Sequence, residues 1–172
     1  IRKVIEIPAQ PATADQLPPL LKGFGAVPPL VTDINLSVDD RFLYVSCWGT
    51  GELRQYDVSD PFSPVLTGTV EIGGIVRRAA HPRQPDKALN GGPQMVEISR
   101  DGRRVYLTNS LYRTWDEQFY PDGIGGWIAK LGVNPRGGIA LDERFLVETN
   151  GLRPHQVRLE GGDASSDSYC YA

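Results

Sequence analysis

The eleven residues LSVDDRFLYVS at 36–46 return 62 positions later as ISRDGRRVYLT at 98–108, with Ser37 over Ser99, Asp39 over Asp101, Arg41 over Arg103 and Tyr44 over Tyr106. An internal repeat is the strongest constraint on what a chain can fold into, because both copies must form the same unit and stack on it. Each copy has apolar alternation of period two, then Ser-x-Asp followed by Asp or Gly, then a second alternating run, which specifies a hairpin with a tight turn. Gly102 takes the position most in need of a positive φ. In the first copy the alternation continues through residues 53–57 after Gly49-Thr50-Gly51, and again through 64–72 after Asp60-Pro61. Four successive antiparallel strands with a repeat of this length predict an all-β chain built of β-propeller blades, each of four antiparallel strands.

The remainder is read around these two units. Residues 141–148, LDERFLVE, imitate VDDRFLYV but follow the second copy too closely to open a third unit, and are expected as its outer strand. Residues 76–92, rich in charge, Pro and Gly, read as a long loop. The alternation IRKVIEI at 1–7 predicts the last strand of a preceding blade, followed by a Pro-rich connector over 8–29. The 172 residues therefore correspond to about two complete blades and two partial ones, a C-terminal piece of one β-propeller domain. A start at Ile1 inside a strand pattern fits a piece of a longer protein.

Composition narrows the function classes. Gly and Pro make 33 of 172 residues (19 + 14), against roughly 12% in average chains, which excludes a helical bundle. A net charge of −3 offers no general attraction to phosphate backbones or anionic lipid, so neither nucleic acid nor membrane is expected as a partner. No apolar run approaches the ~18 residues of a spanning helix. Cys47 and Cys170, with no C-x-x-C spacing, do not fix the redox compartment, and a cytoplasmic location is expected, with the periplasm as the alternative.

Several long motifs carry a family resemblance: Arg41-Phe42-Leu43-Tyr44, Leu53-Arg54-Gln55-Tyr56-Asp57, Gly91-Gly92-Pro93-Gln94-Met95, Trp115-Asp116 with Gln118-Phe119-Tyr120-Pro121, and Gly161-Gly162-Asp163 with Ser165-Ser166-Asp167. From residue 31 onward the chain resembles the C-terminal part of the selenium-binding protein family, whose members include methanethiol oxidases. The resemblance implies a seven-bladed propeller more than twice this length. It also implies copper-dependent oxidation of methanethiol by oxygen and water to formaldehyde, hydrogen sulfide and hydrogen peroxide, with histidines holding the metal. The partners implied are a small thiol substrate and the remaining blades of the same propeller. The alternative is a non-catalytic propeller that binds selenium species or protein partners.

Only two histidines are present, His81 and His155, each alone in sequence, so they cannot close a copper site by themselves. His155 precedes the alternating Val157 and Leu159 and is expected at the start of an inner strand facing the channel. It is the better of the two metal candidates. His81 is either a solvated loop residue or is delivered by its long loop to a site on the same face. Family members carry a histidine in the turn corresponding to Trp48-Gly49-Thr50-Gly51, where this chain has Thr50.

Other groupings read as structure. Asp163, Ser165, Ser166, Asp167 and His155 hold the residue types of a nucleophile triad but lack a G-x-S-x-G elbow, and the turn reading prevails. Asp33-x-Asn35-x-Ser37 lacks the Gly and the bidentate Glu of a calcium loop. Asn35-Leu36-Ser37 is a chance glycosylation triplet on an inner strand. For Tyr112, Trp115, Phe119, Tyr120 and Trp127, packing between blades outweighs a role lining a thiol pocket. Cys47 is expected as a buried apolar residue, and nothing beside Cys170 would lower its pKa.

Overall fold

The computed structural model describes residues 1–161. Its body is two four-stranded antiparallel sheets. In chain order, a short pair formed by β1 (Gln10–Pro11) and β2 (Ala26–Val27) brackets a 3-10 helix at Pro19–Phe24. The first sheet is β3 (Val31–Leu36), β4 (Phe42–Cys47), β5 (Glu52–Asp57) and β6 (Val65–Glu71), paired in sequence order. A two-stranded hairpin follows, β7 (Ala80–His81) with β8 (Gln84–Ala88). The second sheet is β9 (Val96–Ile98), β10 (Arg104–Thr108), β11 (Trp127–Val133) and β12 (Ile139–Glu148), with helix α1 (Arg113–Phe119) in the β10–β11 connection. No helix among the described residues is long and apolar enough to cross a membrane.

The two copies of the repeat fold alike, down to single hydrogen bonds. Tyr44 and Tyr106 occupy the second strand of their sheets. At the first tip the Ser37 hydroxyl donates to Asp39 Oδ1 at 2.5 Å and the Arg41 N–H donates to the same oxygen. At the second, Ser99 and Arg103 do the same on Asp101, with the hydroxyl contact at 2.6 Å. Both tips need a left-handed residue, met by Asp40 at φ 58° and Gly102 at φ 66°. Asp tolerates this region and Gly adopts it without steric cost, which is why the turn accepts either. Residues 141–148 lie in β12, the outer strand of the second sheet, as expected.

The sheets stack face to face. Phe42, Tyr44, Leu53, Val70 and Ile72 from the first meet Val96, Ile98, Val105, Leu107, Trp127, Ala129, Leu131 and Leu146 from the second in one core. Each large apolar side chain so buried contributes about 1.5–3 kcal/mol. The facing inner edges are finished by side chains. Asn35 Nδ2 donates to the Val96 carbonyl, and the Val96 N–H donates to Asp33 Oδ2 at 2.8 Å. A strand edge presents unpaired backbone groups, and here β3 side chains satisfy those of β9.

Two expectations are corrected. Residues 1–7 form no strand: a strand needs a partner, and none of the described strands pairs with this segment. Ile5 and Ile7 instead lie against Val45, Cys47 and Tyr56 on the first sheet. Residues 76–92 are not loop throughout, since 80–88 form the β7–β8 hairpin, whose β8 is exposed and carries no apolar period that would reveal it. The aromatic cluster also divides. Trp127 joins the core between sheets, and Phe119 and Tyr120 pack edge-on to Trp48, whereas Tyr112 and Trp115 are exposed.

Candidate functional site

The two candidate histidines lie at opposite margins of the second sheet. His81 is buried in the β7–β8 hairpin, where its Nδ1 accepts the Arg83 N–H at 3.0 Å. Arg83 in turn donates to the Leu146 carbonyl of outer strand β12. Glu148, at the end of the same strand, is held below the usual carboxylate range by its hydrogen bond to Lys87, with His81 and Arg83 adding smaller pulls. His81 is thus a residue of the outer margin, anchored by backbone.

His155 lies at the inner margin and is exposed. Residues 152–159 form no strand, so the expected inner strand after His155 is absent among the described residues. The cause is again pairing: Val157 and Leu159 alternate, but no described strand lies in register with them. The backbone is nevertheless fixed. Thr108 Oγ1 donates to the His155 carbonyl at 2.9 Å, and Ser110 Oγ donates to the Pro154 carbonyl at 3.1 Å. The first unit has the same pin, Ser46 Oγ to the Pro93 carbonyl, at the same separation of 47 residues. His155 therefore takes the place relative to the second sheet that Pro93 takes relative to the first.

Next to this segment the inner edges of β3 and β9 border an open groove of about 460 Å³ whose lining includes Asp33, Ile34, Leu36, Met95, Glu97 and Gln156 but not His155. Burial raises the pKa of Asp33, opposed by the backbone N–H groups of Val96 and Ile34. The nearby Glu97 raises it further and His155 draws it down. The wall carries the carboxylates of Asp33 and Glu97, and His155 stands outside the lining. Among the described residues no group of three or more His, Cys, Asp or Glu side chains is arranged to hold a metal.

One more anchor acts on the same segment, and the sequence reading missed it. Arg153 Nη1 donates to Asp116 Oδ2, and Asp116 is fully buried on α1. Asp116 Oδ1 also accepts the Leu111 N–H. Burial raises the Asp116 pKa, with the Leu111 N–H and Arg153 pulling against it. The residues are 37 positions apart, and no local spacing signals such a pair.

Thr50 is buried, with a hydroxyl that has no partner. Cys47 is buried and desolvation pushes its thiol up to about 12, which leaves it unreactive, as expected of a packing residue. Asp163, Ser165, Ser166, Asp167 and Cys170 lie outside the described residues.

Comparison with known proteins agrees with the resemblance read from the motifs. Methanethiol oxidase of Xenopus tropicalis is 41% identical over 96% of this chain and 38% of its own length, and that of Homo sapiens is 41% identical over 97% and 39%. The chain thus spans about two fifths of the length of the curated relatives it matches. Among solved structures, a hypothetical selenium-binding protein from Sulfolobus tokodaii is 64% identical, with a TM-score of 0.91 over 99% of this chain and 37% of that one. The pattern of the 56kDa selenium binding protein (SBP56) family matches residues 1–170, and the chain belongs to that family.

Proposed function

We propose that the protein containing these residues is a copper-dependent methanethiol oxidase, converting methanethiol, O₂ and water into formaldehyde, hydrogen sulfide and hydrogen peroxide. The two sheets are adjacent blades of a seven-bladed ring whose other blades lie outside this chain. The observation that carries the reading is His155: an exposed histidine on a backbone pinned to the second sheet, near enough to Asp33 to draw its pKa down slightly. The relatives' name, methanethiol oxidase, supports methanethiol as the substrate and oxidation as the reaction class.

Among the described residues no group of three or more His, Cys, Asp or Glu is arranged to hold a metal, so His155 would supply one imidazole and the remaining copper ligands would have to come from the other blades. Copper, when bound, supplies one-electron exchange and favours the thiolate form of the substrate. Burial raises the pKa of Asp33 at the groove wall, and the backbone N–H groups of Val96 and Ile34 oppose that rise. Ile34, Leu36 and Met95 offer an apolar lining for a methyl group. His81, the second candidate, is buried at the outer margin with Nδ1 engaged by Arg83, across the second sheet from His155, so the two do not converge on one metal within this chain. A selenium association of this protein would not use Cys47, whose buried thiol is a poor nucleophile. We place the protein in the cytoplasm.

The test uses the full-length protein. His155→Ala should lose copper, measured by elemental analysis, together with peroxide release from methanethiol. His81→Ala should have the smaller effect. If His155→Ala keeps both its copper and its activity, the reading is wrong.

A further inference from the structure

We propose that residues 3–7 are the outermost strand of a third blade, and that the open face of the first sheet is the docking surface for the other three strands of that blade. The inference rests on the reading of the two sheets as adjacent blades of a ring and is independent of the copper chemistry.

The way the second sheet docks on the first shows what such a face is built for. The offset of 62 places Ile34, Leu36, Leu43 and Val45 over Val96, Ile98, Val105 and Leu107. In the second sheet these four positions are buried, in one core with Phe42, Tyr44, Leu53, Val70 and Ile72 of the first. In the first sheet they lie on the side turned away from that core. Ile34 pairs with Val45 and Leu36 with Leu43, and residues paired across strands share a face. Val45 belongs to a separate apolar cluster with Cys47 and Tyr56. Ile34 is 61% exposed and Leu36 37%, against 1% and 0% for Val96 and Ile98. Positions that are covered in one unit are thus left open in the other.

Part of the open face already carries a strip of chain. Ile5 and Ile7 lie against Val45, Cys47 and Tyr56. The run Ile5-Glu6-Ile7 matches Val70-Glu71-Ile72, at the end of β6 and just beyond it, and β6 is the outermost strand of the first sheet. Val70 and Ile72 are the residues by which this end enters the core shared with the second sheet. The spacing agrees, since Ile7 precedes Ile34 by 27 positions and Ile72 precedes Val96 by 24. Residues 3–7 therefore hold, against the first sheet, the place that the end of β6 holds against the second. The equivalents of β3, β4 and β5 are what this face still lacks.

The occupant is a three-stranded antiparallel sheet of the same protein, from the part outside this chain, which spans about two fifths of the length of its curated relatives. None of the described strands pairs with residues 3–7, so their backbone edge is available to the third strand of that sheet. Its second and third strands should present large apolar side chains to the face, as Phe42, Tyr44 and Leu53 do to the second sheet. Ile34 and Leu36 also border the groove between β3 and β9, so the docked blade closes one side of that groove.

The experiment uses the full-length protein. Ile34→Ala, read by chemical denaturation, should raise the unfolding equilibrium constant about 30-fold or more, the effect of a cavity in a packed interface. Val65→Ala is the control. Val65 is 60% exposed and stands in register with Asp57 and Phe42, on the opposite face, so its truncation should change that constant by less than about threefold. An Ile34→Ala effect as small as that of the control overturns the docking surface.

A second readout needs no substitution. In hydrogen exchange, the best-protected amides of residues 3–7 should exchange within about tenfold of those of β6. Exchange of all of them at the rate of an unstructured chain overturns the strand assignment. Both measurements are blind to metal: retention of copper by His155→Ala overturns the oxidase reading and leaves this inference standing, so the two failures are distinguishable.

Discussion

The first and second sheets share a strand order, a hairpin tip and an inter-sheet pin, yet they differ in the connection between their second and third strands. In the first sheet residues 48–51 make a tight turn, with Trp48 buried under Phe119 and Tyr120. In the second sheet residues 109–126 build a helix that reaches back over that turn. Trp48 Nε1 donates to the Asn109 carbonyl, and Tyr120 Oη donates to the Trp48 carbonyl at 3.1 Å. The repeat supplies the scaffold, and the departure from it supplies both the weld between units and the clamp on Arg153.

The largest effect that would break this comparison is expected at the weld. Trp48→Ala should cost about 3–5 kcal/mol in chemical denaturation of the full-length protein, because a fully buried Trp and two ring contacts are lost. A loss under about 1 kcal/mol would mean that the insertion merely rests on the first unit. Asn109→Ala comes next. Asn109 accepts the Trp127 N–H and donates to the carbonyls of Asn90 and Gly125, so its loss should cost about 2–3 kcal/mol by the same measurement.

The tips sharpen the comparison at a smaller scale. Gly102→Ala should destabilise by about 1 kcal/mol, since a Cβ at φ 66° is strained although nothing lies within 4 Å of it. Asp40→Gly should relieve the same strain in the first unit, with a gain below about 1 kcal/mol. Opposite signs at equivalent positions would verify that the two tips share one conformation.

The smallest effect is electrostatic. The Ser37 and Ser99 hydroxyls, with the Arg41 and Arg103 N–H groups, hold Asp39 and Asp101 below the ordinary 3.8. A folded-state value below the unfolded one stabilises fully above the unfolded value, and that stabilisation is lost as pH falls through the folded value. Melting temperature followed below about pH 4 should therefore drop less steeply in Ser99→Ala, and less steeply again in Ser37→Ala/Ser99→Ala. An unchanged slope would show that the hydroxyls do not set these carboxyls.

How far the sequence could be read follows from the range of each interaction. The Ser-x-Asp tips, the left-handed residue at 40 and 102, the four-strand order and the outer strand at 141–148 depend on neighbours a few positions away, and the 62-residue offset exposes them twice. Residues 1–7 and 155–159 alternate just as well, yet they form no strand, because alternation specifies a face and only a partner specifies a strand.

The site divides the same way. The alternation after His155 and the family resemblance through that stretch made it the better metal candidate, although the inner strand expected there does not form. That His155 is exposed with its carbonyl pinned by Thr108, that His81 lies at the outer margin with Nδ1 engaged, and that Arg153 meets Asp116 were decided by tertiary structure alone. Turns and strand periods arise from local sterics and backbone hydrogen bonding. A buried charge pair arises only when packing removes water from two groups that the chain itself keeps far apart.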